Sequence, residues 1–504
     1  MKSHVFVVLF CAHHAFALDD TFLGQYENYF LPPPTDLDTK AVTTQYFSQV
    51  LDHYDPTNTA RWSQRYFVNT QHFNTTEGFV VFLLIGGEGQ AGVQWMSAGA
   101  WIQTAREYGA LLFQLEHRFY GESHPLSDLS LPNLRFLSSQ QAIEDIATFI
   151  SAMNREYHLP QNVKWILFGG SYSGSLATWA RQKYPHLIHG VMASSSPVYA
   201  HLDFYEYFEI VFNSLSSNSH QCALAMKKSF EQLEYYINNP NEENVTALFN
   251  LCLDINLDEN RIENNIAYLF ERLSSRIAGV VQYHGIAGQP TIDSLCNIFN
   301  NVSLGREIDR LAGVARFLYG TSCVAYRFQA LLNTLGNTAI LSTRNSRQWY
   351  YQTCTEYGWY QTSSQQDPII GTRTGIDFYT QICSTVFGLA FTPSFTSEHI
   401  ERTNRYYGGY DTEATNVIHV HGSLDPWYPM GLTETVNPDS PVIFIDGTSH
   451  CANLYPISVN DPPALTQARE TINYIIGVWL GRNSAVGVHL SVSLIVIGLL
   501  AKLL

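Results

Sequence analysis

A chain of 504 residues is too long for one small domain, and 45% hydrophobic with 13% aromatic residues supplies a large core, so global disorder is excluded. Twenty-eight basic residues stand against 44 acidic ones, a formal net charge of −16 with no Lys/Arg run, which excludes a nucleic-acid surface.

At the N-terminus, Lys2 precedes the apolar stretch Val5–Phe10, and Ala15-Phe-Ala17 supplies small residues before a cleavage point. This pattern predicts a secretory signal peptide over residues 1–17. The first part of an α/β domain is then expected over 18–200, because apolar β-rich runs alternate with helical patterns, as in a parallel sheet covered on both faces. Strands are predicted at 79–85, 110–115, 164–168 and 189–193, with helices around 140–153 and 176–183. Over 201–347 the strand-like runs disappear and Glu, Asn, Gln and Leu recur at helical spacing, as in 243–251 and 262–277. That region reads as a helical insertion. Strands return at 416–420 and 441–445 and a helix at 465–480, within a second part of the α/β domain expected over 348–480.

Removal of the signal takes Cys11 away, and Cys222, Cys252, Cys296, Cys323, Cys354 and Cys383 then cluster as in a locally stapled region of an oxidising compartment. Cys451 is left over, either free or paired between chains, and a homodimer is left open. Asn74, Asn244 and Asn301 head glycosylation sequons. Residues 481–504 form a hydrophobic tail that fits three readings: a lipid-anchor signal with Asn483-Ser-Ala485 as its small-residue site, a short membrane span, or a plain terminal helix.

The chemistry sits at strand ends. Gly169-Gly-Ser171-Tyr-Ser173 lies between a buried strand and a helix, where a sharp turn thrusts a serine hydroxyl out at the carboxyl edge of the sheet. Ser171 is the candidate nucleophile; a frame centred on Ser173 would put serines at both small-residue positions and fits less well. A serine hydroxyl needs a base, and the base an orienting carboxylate. Asp425 follows the strand 416–420 and His450 the strand 441–445, in the Ser–Asp–His order of α/β-hydrolases. Among 18 histidines, His419 lies inside an apolar strand and reads as a core residue, while His421 precedes the Asp loop and cannot easily place its ring beyond Asp425. The backbone N–H groups of Tyr172 and of Gly87, in the loop Gly86-Gly-Glu-Gly89, are the expected oxyanion donors. No spacing suits a metal, and no cofactor is expected.

Gly86-Gly-Glu-Gly89, Glu116-His-Arg-Phe-Tyr-Gly-Glu-Ser123, Gly169-Gly-Ser-Tyr172, Asp425-Pro-Trp427 and the late His450 together resemble the prolyl carboxypeptidase and dipeptidyl peptidase II family of serine peptidases. Phe168–Trp179, Gln352–Trp359 and Gly447–Asn453 resemble its thymus-specific serine protease branch. The resemblance runs from about Tyr46 to Leu480. It implies an α/β-hydrolase fold with an inserted, disulfide-bonded helical cap domain, pairing Cys222–Cys296, Cys252–Cys323 and Cys354–Cys383. It further implies a secreted or lysosomal serine exopeptidase acting near proline on small peptides, with Trp427 lining the substrate pocket. Ser173-Gly-Ser175 departs from the Gly-Gly-Met of the proline-cleaving members, which argues against strict proline specificity. The triad alone would equally serve an esterase or lipase, and a non-catalytic binding protein on the same scaffold is the third alternative.

Overall fold

The computed structural model describes residues 31–34, 39–76, 78–257, 262–341 and 344–482. The expected signal peptide and the tail beyond Arg482 lie outside the described residues. Among the described residues no helix is long and apolar enough to cross a membrane.

Eight strands form the central sheet: β1 Val42–Val50, β2 Arg61–Asn69, β3 Val80–Ile85, β4 Leu111–Leu115, β5 Lys164–Gly170 and β6 Gly190–Ser194 come first. A small pair, β7 His201–Asp203 and β8 Gly358–Tyr360, stands apart, and β9 Val417–Gly422 and β10 Val442–Ile445 complete the sheet. The order is β1-β2-β4-β3-β5-β6-β9-β10, and only β2 runs against its neighbours. The central strands are apolar on both faces because both are covered. Val81, Leu83 and Ile85 enter one layer, with the helices Ser139–Glu156 and Tyr172–Lys183. Val80, Phe82 and Leu84 enter the other, with Ala100–Tyr108 and Pro463–Leu480. This is the α/β-hydrolase fold.

The strands and helices expected in the sheet domain agree with those observed to within a few residues. β1 and β2 carry no such signal. β1 reads VTTQYFSQV and is exposed at most positions, so its pattern is that of an edge strand with little to bury.

The insertion leaves the sheet after β6 and rejoins it at Val417, so its helical text runs past the expected limit of Arg347. Helices Ser346–Gln352, Ile376–Phe387 and Pro393–Tyr407, with a π-helical turn at Thr353–Tyr357, all precede β9. The helix expected over 243–251 shrinks to Val245–Leu248: the Asn244 side chain caps it, and Asn250 turns the chain at φ 50°. The other expected insertion helix forms as Glu263–Gln282. Disulfides join Cys222 to Cys296, Cys252 to Cys323 and Cys354 to Cys383, all within the insertion.

The stretch Glu116–Ser123 after β4 is structural. Glu116 is fully buried and its carboxylate is held by Arg65, with Nη2 to Oε1 at 2.5 Å and Nε to Oε2 at 3.2 Å. It also accepts from the Ala91 and Glu122 backbone N–H groups and from Ser123 Oγ. Gly121 has to be glycine, since a Cβ there would lie 1.9 Å from Glu116 Oε1. Arg118 and Asp145 form a second buried pair, bonded through both oxygens at 2.6 Å. Through Ala91, Glu116 anchors the loop that follows β3. Glu116→Ala should leave buried Arg65 with Glu122 as its remaining ionic partner, Nη1 to Oε1 at 2.7 Å, and strip the Ala91 N–H of its acceptor, and chemical denaturation should show a loss of about 3 kcal/mol.

Candidate active site

Ser171 closes β5 with φ 57° and ψ −134°, a conformation rare for a residue with a side chain. Its N–H donates to Ser194 O at 2.8 Å, tying the turn to β6. Small residues are required around it: a Cβ on Gly169 would stand 2.3 Å from Ser173 O, and one on Gly174 2.9 Å from Ser196 Cβ. Ser173, where glycine is usual, braces the turn instead. Its Oγ donates to Gly170 O at 2.8 Å and lies 3.0 Å from Gly170 N. That engaged hydroxyl favours the frame centred on Ser171.

Two late loops bring the acid and the imidazole together. Gly422 lets them meet, since a Cβ there would fall 2.2 Å from Thr448 O. Ser423 N donates to Ile445 O and Leu424 N to Thr448 O, stitching the β9 loop to the β10 loop. Asp425 Oδ1 accepts from His450 Nδ1 at 2.8 Å and from Trp427 N at 3.0 Å. Both side chains are buried. Burial opposes the charged ring, but the Asp425 carboxylate outweighs it and holds His450 well above the usual imidazole range. His450 Nε2 is buried and takes no hydrogen bond among the described residues. The chain neighbours of His450 and Ser171 touch: Cys451 Sγ would lie 2.9 Å from a Cβ on Gly170. Cys451 is a free, buried thiol whose N–H donates to Ser195 Oγ at 2.8 Å.

His419 and His421 are buried and neutral, pushed down to about 3 and about 4 by loss of water. Gly87 lies against Ser173, its virtual Cβ 3.6 Å from Ser173 Cβ, on the loop that lines one cavity with Ser171. Gly86 must be glycine because a Cβ would stand 2.7 Å from Leu115 O. Trp427 is buried beside His450 and donates its indole N–H to Gln282 Oε1 at 3.0 Å. Asn74, Asn244 and Asn301 are exposed.

Several groups around the site carried no role in the sequence. Gln282, at the end of an insertion helix, accepts from His450 N at 3.0 Å through its backbone, and Tyr283 packs edge-on to the imidazole. The insertion therefore roofs the triad candidates. The phenol of Tyr172 meets His117, Gln352 and Tyr357. Burial pushes His117 down to about 4, so its ring is neutral. Its Nδ1 must donate to Arg118 O at 2.7 Å, since a carbonyl only accepts, which leaves Nε2 to accept from the Tyr172 hydroxyl at 3.1 Å. Gln352 donates to the same hydroxyl at 2.8 Å. Glu356 continues the chain of contacts to Ser139 and Tyr357. The sequence signals for these residues were the family-like runs alone: Glu116–Ser123 for His117, Gly169–Tyr172 for Tyr172, and Gln352–Trp359 for Gln352, Glu356 and Tyr357.

A serine on a strained strand-to-helix turn, with an Asp–His pair on the two late loops of an eight-stranded hydrolase sheet, defines the class of serine hydrolases of the α/β-hydrolase fold. The model of the serine carboxypeptidase S28 family matches residues 49–472, and the chain belongs to that family. It is a serine-type peptidase, which sets aside the esterase and binding-protein alternatives. Thymus-specific serine protease of Mus musculus is 34% identical over 450 residues, covering 86% of this chain and 87% of the relative. Lysosomal Pro-X carboxypeptidase of Homo sapiens is 26% identical over 457 residues, covering 87% and 88%. Thymus-specific serine protease of Homo sapiens is 33% identical over 450 residues, covering 86% of each chain.

Glu88 lines the cavity with Ser171, and burial pushes its carboxyl up from 4.5 to about 8. The folded protein thus keeps a proton that the unfolded chain gives up between those values, so this contribution to stability is present at low pH and is lost as pH rises through the window. Each unit of the difference is worth about 1.4 kcal/mol. Glu271, raised to about 7 by burial, acts in the same direction. Glu88→Gln should make the fall in Tm between pH 5 and 8 shallower without abolishing it, as measured by differential scanning calorimetry.

Proposed function

We propose that Ser171 attacks the scissile carbonyl, that His450 accepts its proton and passes it to the leaving amine, and that Asp425 orients and stabilises the imidazolium. The 2.8 Å bond between Asp425 Oδ1 and His450 Nδ1 carries this reading, since it commits Nδ1 to the carboxylate and leaves Nε2 as the nitrogen that exchanges a proton with the serine. The backbone N–H groups of Tyr172 and Gly87 are assigned to the oxyanion, and the hydrogen bonds on the Tyr172 phenol hold its backbone in place.

The substrates are short peptides attacked near a chain end. The insertion covers His450, and Ser171 itself is only 8% exposed, so a loop of a folded protein could not enter without displacing it. Proline preference is supported by the small cavity that Trp427, Trp359 and Trp349 line together, with Trp427 beside His450, since aromatic surfaces suit a pyrrolidine ring. The name of the Pro-X carboxypeptidase relative points the same way. A setting in the secretory pathway is supported by the three disulfides, the exposed sequons at Asn74, Asn244 and Asn301, and the names of the relatives.

Ser171→Ala should abolish both hydrolysis and labelling by a fluorophosphonate while circular dichroism stays unchanged; labelling lost instead in Ser173→Ala would move the nucleophile. Asp425→Asn should lower kcat by about 10⁴, the cost of the wrong tautomer in a related triad. A library of free, N-acetylated and C-amidated short peptides, with and without proline, should show that blocking one terminus stops cleavage. Cleavage of doubly blocked peptides at an unchanged rate would make the enzyme an endopeptidase.

A further inference from the structure

The cavity that reaches Ser171 is partly walled by a segment far from it in sequence, Leu31-Pro-Pro-Pro34. Leu31 and Pro33 line the same space as Ser171, Gly87, Glu88 and Trp95. Leu31 Cδ2 would lie 3.5 Å from a Cβ on Gly170, the residue before the candidate nucleophile. Pro33 Cβ would lie 3.1 Å from a Cβ on Gly92, and Pro34 is buried. Tyr455 OH donates to Pro32 O at 3.1 Å, while its ring packs edge-on to Trp95 with centroids 5.2 Å apart.

These contacts have the character of ligand recognition. Three successive prolines have no N–H to donate and are restricted to an extended backbone, so the segment enters no sheet and loses little entropy on docking. What receives it is apolar and aromatic, with one phenol aimed at a backbone carbonyl, the means by which proteins grip extended prolyl peptides.

We infer that the groove formed by Gly92, Trp95, Leu454 and Tyr455 beside Ser171 is a binding site for extended, proline-containing apolar peptide, and that Leu31–Pro34 occupies it in cis. The chain thereby carries its own competitor. Binding to this groove is independent of the triad; only the kinetic consequence rests on Ser171 as the nucleophile.

The test uses the full chain with Leu31→Gly and Pro33→Gly combined, which frees the groove while retaining the rest. Binding of the synthetic peptide Leu-Pro-Pro-Pro-Thr, read by calorimetry in a Ser171→Ala background, should be at least tenfold tighter in the double variant than with the native segment. Leu-Ala-Ala-Ala-Thr should bind at least tenfold more weakly than the prolyl peptide. In the background retaining Ser171, fluorophosphonate labelling and kcat/KM on a short peptide should rise severalfold in the double variant. If that variant fails to fold, Leu31→Gly alone, which removes the contact over Gly170 and leaves the groove residues intact, should shift both readouts the same way by a smaller factor. Equal peptide affinity with and without the native segment, or no binding to either, overturns the inference, as does equal affinity for the two peptides. Absence of labelling in every background, with peptide binding intact, would sink the role of Ser171 and leave the groove standing.

Discussion

The active edge of this enzyme depends on one backbone constraint, the close approach of three chain segments around the end of β5. The turn at Ser171 can exist only if Gly169 and Gly174 lack side chains, because the first turn of the following helix crowds Gly169 and Ser196 crowds Gly174. The same crowding explains Gly170, over which Leu454 and Cys451 close from the late loops. A positive φ at a serine costs on the order of 1–3 kcal/mol and persists only where the surroundings over-determine it. Here the bond from Ser171 N to Ser194 O and the self-bracing of Ser173 do so. The free thiol of Cys451 is thus a packing piece of this turn: it fills the space above Gly170, and its own left-handed backbone is fixed by Ser195.

How much of this could be read beforehand follows the physics of each signal. The central strands were legible because a strand buried on both faces is apolar at every position, as in Val80–Ile85. Ser171, Asp425 and His450 stood out because each lies just past such a strand, where the fold exposes side chains. β1 was silent because an edge strand buries little, and the helical text that continues past Arg347 was hard to read because Ser346–Gln352 is rich in Trp and Tyr. The contacts of Tyr172 with His117, Gln352 and Tyr357 join residues up to 185 positions apart, and no local pattern announces them. Glu88 was visible as a letter between glycines, but its retained proton is a property of burial alone.

The two halves of the molecule share an apolar cluster and differ in what is added to it. The sheet domain relies on apolar layers and on a few fully compensated ions, Arg65 with Glu116 and Arg118 with Asp145. Each of those pairs would be a liability if either partner were lost, yet each also fixes loop geometry next to the catalytic edge. The insertion relies more on covalent closure, with all three bridges lying between β6 and β9.

That placement bears on the order in which the protein can assemble. β6 and β9 are neighbours in the sheet, pairing Val191 with Val417, yet the whole insertion separates them along the chain. Bringing such distant strands together carries a loop-closure entropy that grows with the length of free chain between them, and long-range pairing of this kind slows folding. Cross-links inside the insertion shorten that effective length before the sheet closes. An oxidised intermediate would therefore present β9 to a half-built sheet already tethered nearby, whereas a reduced chain would have to search for it. Oxidation of the three bridges would then speed completion of the sheet edge that carries Asp425 and His450, which arrive only with the last two strands.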